Sequence, residues 1–504
     1  MGEKTVKQSI PAPSAGINAT LPVDEMPLNY ALELTNFIPK QKTESRDGFT
    51  IESQGLHSAI ESLFAWNSNT GNLKLFGFAD HKVFDASTDP ATDMTGGLSI
   101  TNDYWQGHQF RGQSVWVNGV DSCLKYTGAS MTTALFSMSG SAYTATPPFI
   151  HIGAYKNRQF FVQKDTGVAW YGAVNQIDGT SQPLVDVDFS AFMPRGGYVM
   201  WAQSFTKSTG TVNQDFFVVC SSEGDILAYA GDYPGNTWAL TAKWQIAAPL
   251  GRRSFVHVPG DLWVLTKQGI ISIGMLASGS PEPEITAQIK AFWLEAVKYY
   301  GTAQGWEGVY YPKEGITIIN IPIYPWSVGT ANYEQLIFAD SEFSAANLIG
   351  LNGITHCVAG NEWYFGCQDG TIYKYGGTTN ADGSNTRMFY QSPFSDFGIA
   401  GQQKHFTEVY ALLSTKGNIA IDVEVAADYD TITLADPPLI PIADGIAWGD
   451  PWGTPWSSIL KTDIRKFGVK AIGYTGSLKL AAQTASGKLY LNRCLLRFNV
   501  GGEN

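Results

Sequence analysis

The chain has 504 residues, a formal net charge of −12, 15% charged residues and 13% aromatic residues. That length admits about three ordinary domains or one large repeat domain with extensions, and the low charge with many aromatics excludes a chain disordered throughout. No run approaches the roughly 20 apolar residues of a membrane-spanning helix, and the opening MGEKTVKQSIPAPSAG lacks the apolar stretch of a secretion signal, so the expected compartment is a cytosol.

The charge is unevenly spread. Residues 1–50 carry 5 basic and 6 acidic side chains, residues 51–384 carry 17 and 28, and residues 385–504 carry 11 and 11. These three segments are read as an N-terminal arm, a repeat domain and a C-terminal domain. A middle segment of that sign is unsuited to gripping nucleic acid, which needs clustered Lys and Arg to neutralise phosphates. It can still surround nucleic acid without holding it.

The arm, PAPSAGINATLPVDEMPLNYALELTNFIPKQKTESRDGF over residues 11–49, is rich in turn formers. The middle segment then repeats a unit of apolar strand, short polar or Gly turn, and second apolar strand. It occurs as LKLFGFADHKVF from Leu73, QSVWVNGVDSCLKY from Gln113, QFFVQKDTGVAWY from Gln159 and FFVVCSSEGDILAY from Phe216. LWVLTKQGIISIG from Leu262, VYYPKEGITIINI from Val309 and EWYFGCQDGTIYKY from Glu362 follow, with successive starts 40 to 57 residues apart. Each reads as a β-hairpin, because Val, Ile, Phe, Tyr and Trp alternate on both arms and the turns supply Gly, Asp or Asn. A lone hairpin cannot bury its apolar face. Stacking four-stranded sheets around an axis buries those faces at about this period, so an all-β fold with a β-propeller of about six or seven blades is expected; unrelated hairpins in two β-sandwiches are the alternative.

Between the fifth and sixth hairpins, SPEPEITAQIKAFWLEAVKYYG places Ile285, Ile289, Phe292, Ala296 and Tyr300 at helical spacing behind two prolines, which predicts one inserted helix over about 281–300. Packing on its own chain is favoured over service as a partner-binding helix. In the last segment, NIAIDVEVAAD from Asn418 alternates with Ile419, Ile421, Val423 and Val425 on one face, and KLYLNRCLLRFNV from Lys488 supplies another strand. A β-sandwich-like C-terminal domain is expected. Trp448, Trp452 and Trp456 recur every four residues between these strands, but Gly449, Pro451, Gly453 and Pro455 deny them a helix; their loop is either a packed cover or an aromatic contact surface.

Signs of chemistry are sparse. The five cysteines (123, 220, 357, 367 and 494) show no Cys-x-x-Cys, and the seven histidines stand singly, so buried thiols are expected rather than a disulfide framework or zinc cage. No nucleophile elbow, phosphate loop or His-Glu-x-x-His occurs; catalytic, cofactor and metal residues are all read as none. Asp165-Thr166-Gly167-Val168-Ala169-Trp170 fits the core of an Asp box, a structural turn of sialidase-like propellers, with Gln163 where Ser is usual. Asn380 to Asn385 resembles a cation loop only in part, lacking the terminal Glu of an EF-hand, and reads as a polar hairpin loop.

On Gly16, Ile17, Asn18, Pro27, Tyr30, Ala31, Leu34, Asn36, Pro39, Arg46 and Gly48, the arm resembles the opening of tail nozzle proteins of short-tailed bacteriophages, the tail tubular protein B type. Those proteins carry a Gly-Ile/Val-Asn turn, a Pro…Tyr/Asp-Ala…Leu-x-Asn-x-x-Pro stretch and an Arg-x-Gly step into the first propeller strand. The resemblance implies a non-enzymatic virion protein, assembled in the host cytoplasm and placed in the tail. It also implies a homohexamer that forms the distal DNA-ejection channel beneath an adaptor or gatekeeper ring, contacts tail fibres and lets genomic DNA pass without specific binding. No cofactor follows from it. Within the arm it makes Arg46 a candidate for a salt bridge and Asn36 a candidate for satisfying turn backbone groups. An acidic wall would repel DNA rather than trap it, although the same charge also serves solubility. The alternative function is a receptor- or glycan-binding, or glycoside-cleaving, propeller of the phage tail.

Overall fold

The computed structural model describes residues 4–139, 146–178, 182–208, 213–324, 332–339, 343–432, 434–438 and 461–501. The chain divides into two compact units, one of residues 1–50, 334–351 and 375–504, the other of 51–333 and 352–374.

The second unit is a six-bladed β-propeller. Blade 1 contains Ser62–Asn67, Leu73–Ala79, Lys82–Asp85 and Thr92–Asp93, and blade 2 contains Gln106–Phe110, Gln113–Val117, Leu124–Tyr126 and Met131–Thr133. Blade 3 runs Phe149–Tyr155, Arg158–Gln163, Val168–Tyr171 and Val185–Asp188; blade 4 runs Val199–Ser208, Asn213–Ser221, Asp225–Ala230 and Ala239–Gln245. Blade 5 has three strands, Phe255–Val258, Asp261–Thr266 and Gly269–Ser272. Blade 6 takes Thr355–Ala359, Glu362–Gly366 and Ile372–Tyr375 from late in the chain and Phe49–Ser53 from early in it. Sharing one blade between distant parts of the sequence closes the ring and leaves no open edge there.

Six of the seven repeats in the sequence are the second and third strands of these blades. The repeat from Val309 instead pairs Glu307–Tyr311 with Ile316–Tyr324, and its first strand packs between the first strands of blades 5 and 6. The core is distributed accordingly, with an apolar cluster at each of five junctions between neighbouring blades and the strand Glu307–Tyr311 between blades 5 and 6. Phe76, Phe78, Trp105 and Trp116 join blades 1 and 2, Phe161 and Trp170 join blade 3 to blade 2, and Phe160 and Phe217 join blades 3 and 4. Trp201, Val218 and Val264 join blades 4 and 5, and Leu63, Tyr364 and Ile372 join blade 6 to blade 1. Each hairpin thus buries its face only against its neighbours, which is why the repeat period was visible in sequence.

The Asp-box segment is a turn in blade 3. Asp165 adopts φ 55°, and the indole of Trp170 donates to Gln163 Oε1 at 2.8 Å, so Gln163 serves as the acceptor at the position where Ser is usual.

The inserted helix is shorter than its sequence pattern suggested. A 3-10 turn over Ala287–Ile289 leads into the helix Lys290–Tyr300. Pro281 and Pro283 keep the preceding residues extended: Ser272 donates to Pro283 O and Ile285 to Ile270 O, both along the third strand of blade 5. The helix packs on its own chain, anchored by Trp293, which is 0% exposed and donates to Thr266 O at 2.9 Å. Phe292 and Tyr300, assigned to the buried face from spacing, are only half-buried; the break at 289–290 rotates the face by about one residue, or 100°.

The first unit departs from a sandwich. Its strands form one large curled sheet, in the order Asn332–Ala339, Ser344–Leu348, Glu33–Thr35, Thr386–Gln391, Gly476–Val500, Lys404–Ala427 and Lys461–Gly473. Lys4–Pro11 and Thr43–Ser45, from the presumed arm, also pair with Gly476–Val500. Two strands of 24 and 25 residues pair along their whole length and change register near Leu412 and Asn418. Such bulges bend a long ladder so that one sheet curls over its own core. Beneath it, the ammonium of fully buried Lys404 donates to Ile399 O, Gln402 O and Tyr474 O at 2.6–3.1 Å. The segment holding Trp448, Trp452 and Trp456 lies outside the described residues.

Candidate functional site

The arm residues fold into a buried knot within the first unit. Gly16 has φ +75°, and a Cβ there would lie 2.5 Å from Ala345 O. Its neighbour Ile17 donates to Ala345 O at 2.8 Å, Ala31 donates to Gly16 O, and Asn18 donates to Ala31 O. The Asn18 side chain accepts from the amides of Thr20 and Leu21, forming an Asx turn. Pro27 accepts from the Tyr30 amide in the next turn; Ala31, Leu34 and Pro39 are buried, Tyr30 is half-buried and Pro27 is exposed.

Asn36 is the centre of the knot. Its φ is 58°, its Oδ1 accepts from Ile349 N at 2.9 Å and Arg46 Nε at 3.1 Å, and its Nδ2 donates to Arg387 O at 2.6 Å. Arg46, 2% exposed, also donates to Asp47 O at 2.8 Å and Asn380 Oδ1 at 3.2 Å. Its hydrogen-bond partners are therefore neutral oxygens rather than carboxylates. Gly48 completes the site, since a Cβ there would sit 2.1 Å from Thr379 O. Asn380, from the loop with partial likeness to a cation site, donates to Ser384 O and accepts from Arg46; Asp382 Oδ1 accepts from Ser384 N and Oγ. These groups hold backbone geometry.

The propeller contains a second polar centre that sequence reading missed. Arg253, just before blade 5, donates to Glu61 O and Ser62 Oγ at the start of blade 1, and to Trp105 O at the start of blade 2. It also pairs with Glu307 Oε2 at 3.0 Å, while Glu307 Oε1 accepts from His356 N at the start of blade 6. Arg252 donates to Asn118 O and Tyr104 O, and both guanidinium groups lie over the Tyr104 ring, at 4.5 and 4.0 Å. One tandem pair thus fastens the leading ends of innermost strands from several blades. A small cavity beside it, of about 10 Å³ and so with room for about one water, is lined by Glu61, Tyr104, Arg253, Gln304, Tyr333 and Ile354. The only sequence signal was the Arg-Arg dipeptide in a segment poor in cations.

Burial sets the protonation of this region. It raises the carboxyl pKa of Glu307 and Glu61, with nearby Asp103 adding to the rise at Glu61. It pushes the imidazoles of His151 and His356 down to about 3, with Arg252, His108 and His257 adding to the depression at His151, and that of His108 down to about 4. His356 accepts from Trp363 Nε1 at 3.1 Å through Nδ1, so its neutral form carries its proton on Nε2. All five cysteines are free thiols; Cys357 is half-buried and the others buried. Burial raises the thiols of Cys123, Cys357 and Cys494 to about 12, which keeps them protonated and weakly nucleophilic. Among the described residues no group of three His, Cys, Asp or Glu side chains is placed to hold a metal ion.

A pH dependence follows. Unfolded histidines titrate near 6.5, so between there and about 4 the unfolded chain takes up protons that His108, His151 and His356 refuse when folded. Their stabilising contribution is fully present above pH 6.5 and is lost as the pH falls, by up to about 1.4 kcal/mol per pH unit for each. The raised carboxyls of Glu61, Asp103 and Glu307 act in the opposite sense, adding stability that is lost as pH rises through their folded values. The expected result is a thermal midpoint that falls between pH 7 and pH 5, where the histidines dominate, and falls less in His356→Gln. A flat profile would contradict it.

No family model matches the chain, and no curated protein sequence matches it. Among solved structures, a computationally designed protein, Ika8, is similar at 11% identity and a TM-score of 0.35, over 65% of this chain and 99% of that one. A likeness of that degree carries no argument. Among the described residues no helix is long and apolar enough to cross a membrane.

Proposed function

We propose that this chain is a structural subunit of the tail nozzle of a short-tailed bacteriophage, a homohexamer through which genomic DNA leaves, seated under an adaptor ring and touching tail fibres. The observation that carries the reading is the knot around Asn36 and Arg46: the residues on which the resemblance rests act together to pin the chain start into the sheet. Such a set is expected of an assembly subunit, where each segment must reach its neighbours at a set angle. In the packed propeller interior Arg252, Arg253 and Glu307 are tied to backbone groups of several blades, which fits a protein that transmits and contains rather than one that turns over a substrate. The excess of carboxylates in residues 51–384, 28 against 17 basic groups, would keep phosphates from lodging on a lumen wall.

Light scattering and negative-stain imaging of the purified chain, alone and with co-expressed tail proteins, test this reading. A six-fold ring or tube is expected. A stable monomer in both preparations would overturn it and favour a glycan- or receptor-binding propeller.

A further inference from the structure

The near-neutral charge of residues 385–504 conceals a basic sheet face. In Gly476–Val500, Cys494, Leu496 and Phe498 are buried, so Arg493 and Arg497 project from the other side. The same alternation puts Glu408 and Tyr410 of Lys404–Ala427 on that side, with Lys466 and Lys470 of Lys461–Gly473. Lys7 of Lys4–Pro11 stands in register with Arg497, Arg497 with Glu408, and Tyr410 with Lys466. Among the described residues of these four strands around Glu408, five cations thus share a face with its single carboxylate. Lys7, Arg493, Lys466 and Lys470 are exposed and Arg497 is half-exposed.

Glu408 organises the centre. Its carboxylate accepts from Lys466 at 2.7 Å, Arg497 at 2.9 Å and the Tyr410 hydroxyl at 2.7 Å. These bonds draw its pKa down to about 2, so it stays ionised and holds both cations upright. Lys7 lies 5.8 Å from the Tyr410 ring centre. Among the described residues Lys7, Lys470 and Arg493 have no carboxylate partner.

We infer that this face binds the phosphate backbone of duplex DNA. Four adjacent strands span about 14 Å, and residues four apart on one strand span about 13 Å; such a rigid plate presents cations at a spacing that meets several phosphates of one backbone. A protein partner would call for a broad aliphatic or aromatic core with few charges; here half-buried Leu495, in register with Tyr410, is flanked on its own strand by Arg493 and Arg497 and across Tyr410 by Lys466, and the exposed Ile464 and Ile472 stand on the outermost strand. Backbone contacts of this kind carry no sequence information. The face therefore takes any duplex, and in a nozzle it would act as a brake beside an otherwise repelling wall. The inference does not rest on the hexamer, because a single chain carries the whole face.

Fluorescence anisotropy with a labelled random duplex of about 30 base pairs, read across a salt series, tests it on the full chain. Binding is expected, weakening steeply with salt. The triple variant Lys7→Gln, Lys470→Gln, Arg493→Gln removes no ion pair, and it is expected to bind at least about tenfold more weakly with a salt slope smaller by about 2 to 3. Glu408→Gln, which keeps an acceptor but removes the opposing charge, is expected to bind more tightly. No binding, equal binding by the triple variant, or displacement of the duplex by poly-glutamate at matched charge would each overturn the assignment. Light scattering on the same samples reports oligomeric state separately, so failure of the nozzle reading and failure of this one are distinguishable.

Discussion

Arg253→Met is expected to destabilise the propeller by about 3–5 kcal/mol, the range for removing one partner of a buried ion pair. The guanidinium is 8% exposed and serves Glu307, Ser62 Oγ and two backbone carbonyls from other blades. Methionine fills much of the volume but donates to none of them. Glu307 would be left buried without its countercharge, and its already raised pKa would rise further, so part of the loss would be relieved by protonation. The double variant Arg253→Met, Glu307→Leu removes both charges and is expected to recover a large part of the loss. Urea denaturation followed by tryptophan fluorescence measures both, because Trp105, whose carbonyl Arg253 holds, is fully buried at the blade 1–2 interface. A loss below about 1 kcal/mol for the single variant would show that the contacts are replaceable by water.

The second large effect is expected in the arm. Gly16→Ala forces a side chain into a left-handed backbone, costing about 1–2 kcal/mol, and drives its Cβ against the backbone of Ala345. Gly48→Ala meets Thr379 O at 2.1 Å, a contact that only backbone movement relieves. That movement would disturb the bonds from Gly48 N to Gly377 O and from Phe49 N to Thr379 O. Each substitution is expected to cost roughly 3 kcal/mol and to raise amide exchange and proteolysis of residues 11–49 before the propeller unfolds. Gly71→Ala is the control, since it carries the same left-handed strain at φ +87° but meets no atom within 4 Å. If Gly16→Ala behaves like Gly71→Ala, close packing of the knot contributes little.

The propeller was legible in the sequence because its information is local. Each hairpin alternates apolar residues at a period of two and turns on residues that tolerate a left-handed backbone, as at Gly370, φ +75°, within the turn CQDG. Repetition then implies a ring, since no single unit can bury its own face. Other turns were less plain: Asp80-His81 and Lys156-Asn157 take positive φ at both positions without glycine, and only pairing of the flanking strands reveals them. The helix was legible in kind but not in facing, because the buried face was set by Trp293, which packs edge-on against Trp306 and donates to Thr266 O, partners that spacing alone does not name.

Composition and periodicity by themselves determined an all-β chain, the repeat, the acidic middle segment and the turn-rich arm, since each is a property of neighbouring residues. Tertiary structure alone decided that residues 1–50 and 375–504 share a curled sheet, that Phe49–Ser53 completes blade 6, and that Arg253 meets Glu307. It also placed Lys7, Arg493 and Lys466, from three distant segments, on one face. The physical reason is common to all of these. Strand pairing and the pairing of buried charges are satisfied by any complementary partner at any sequence distance, so the partner is selected only when the whole chain has packed.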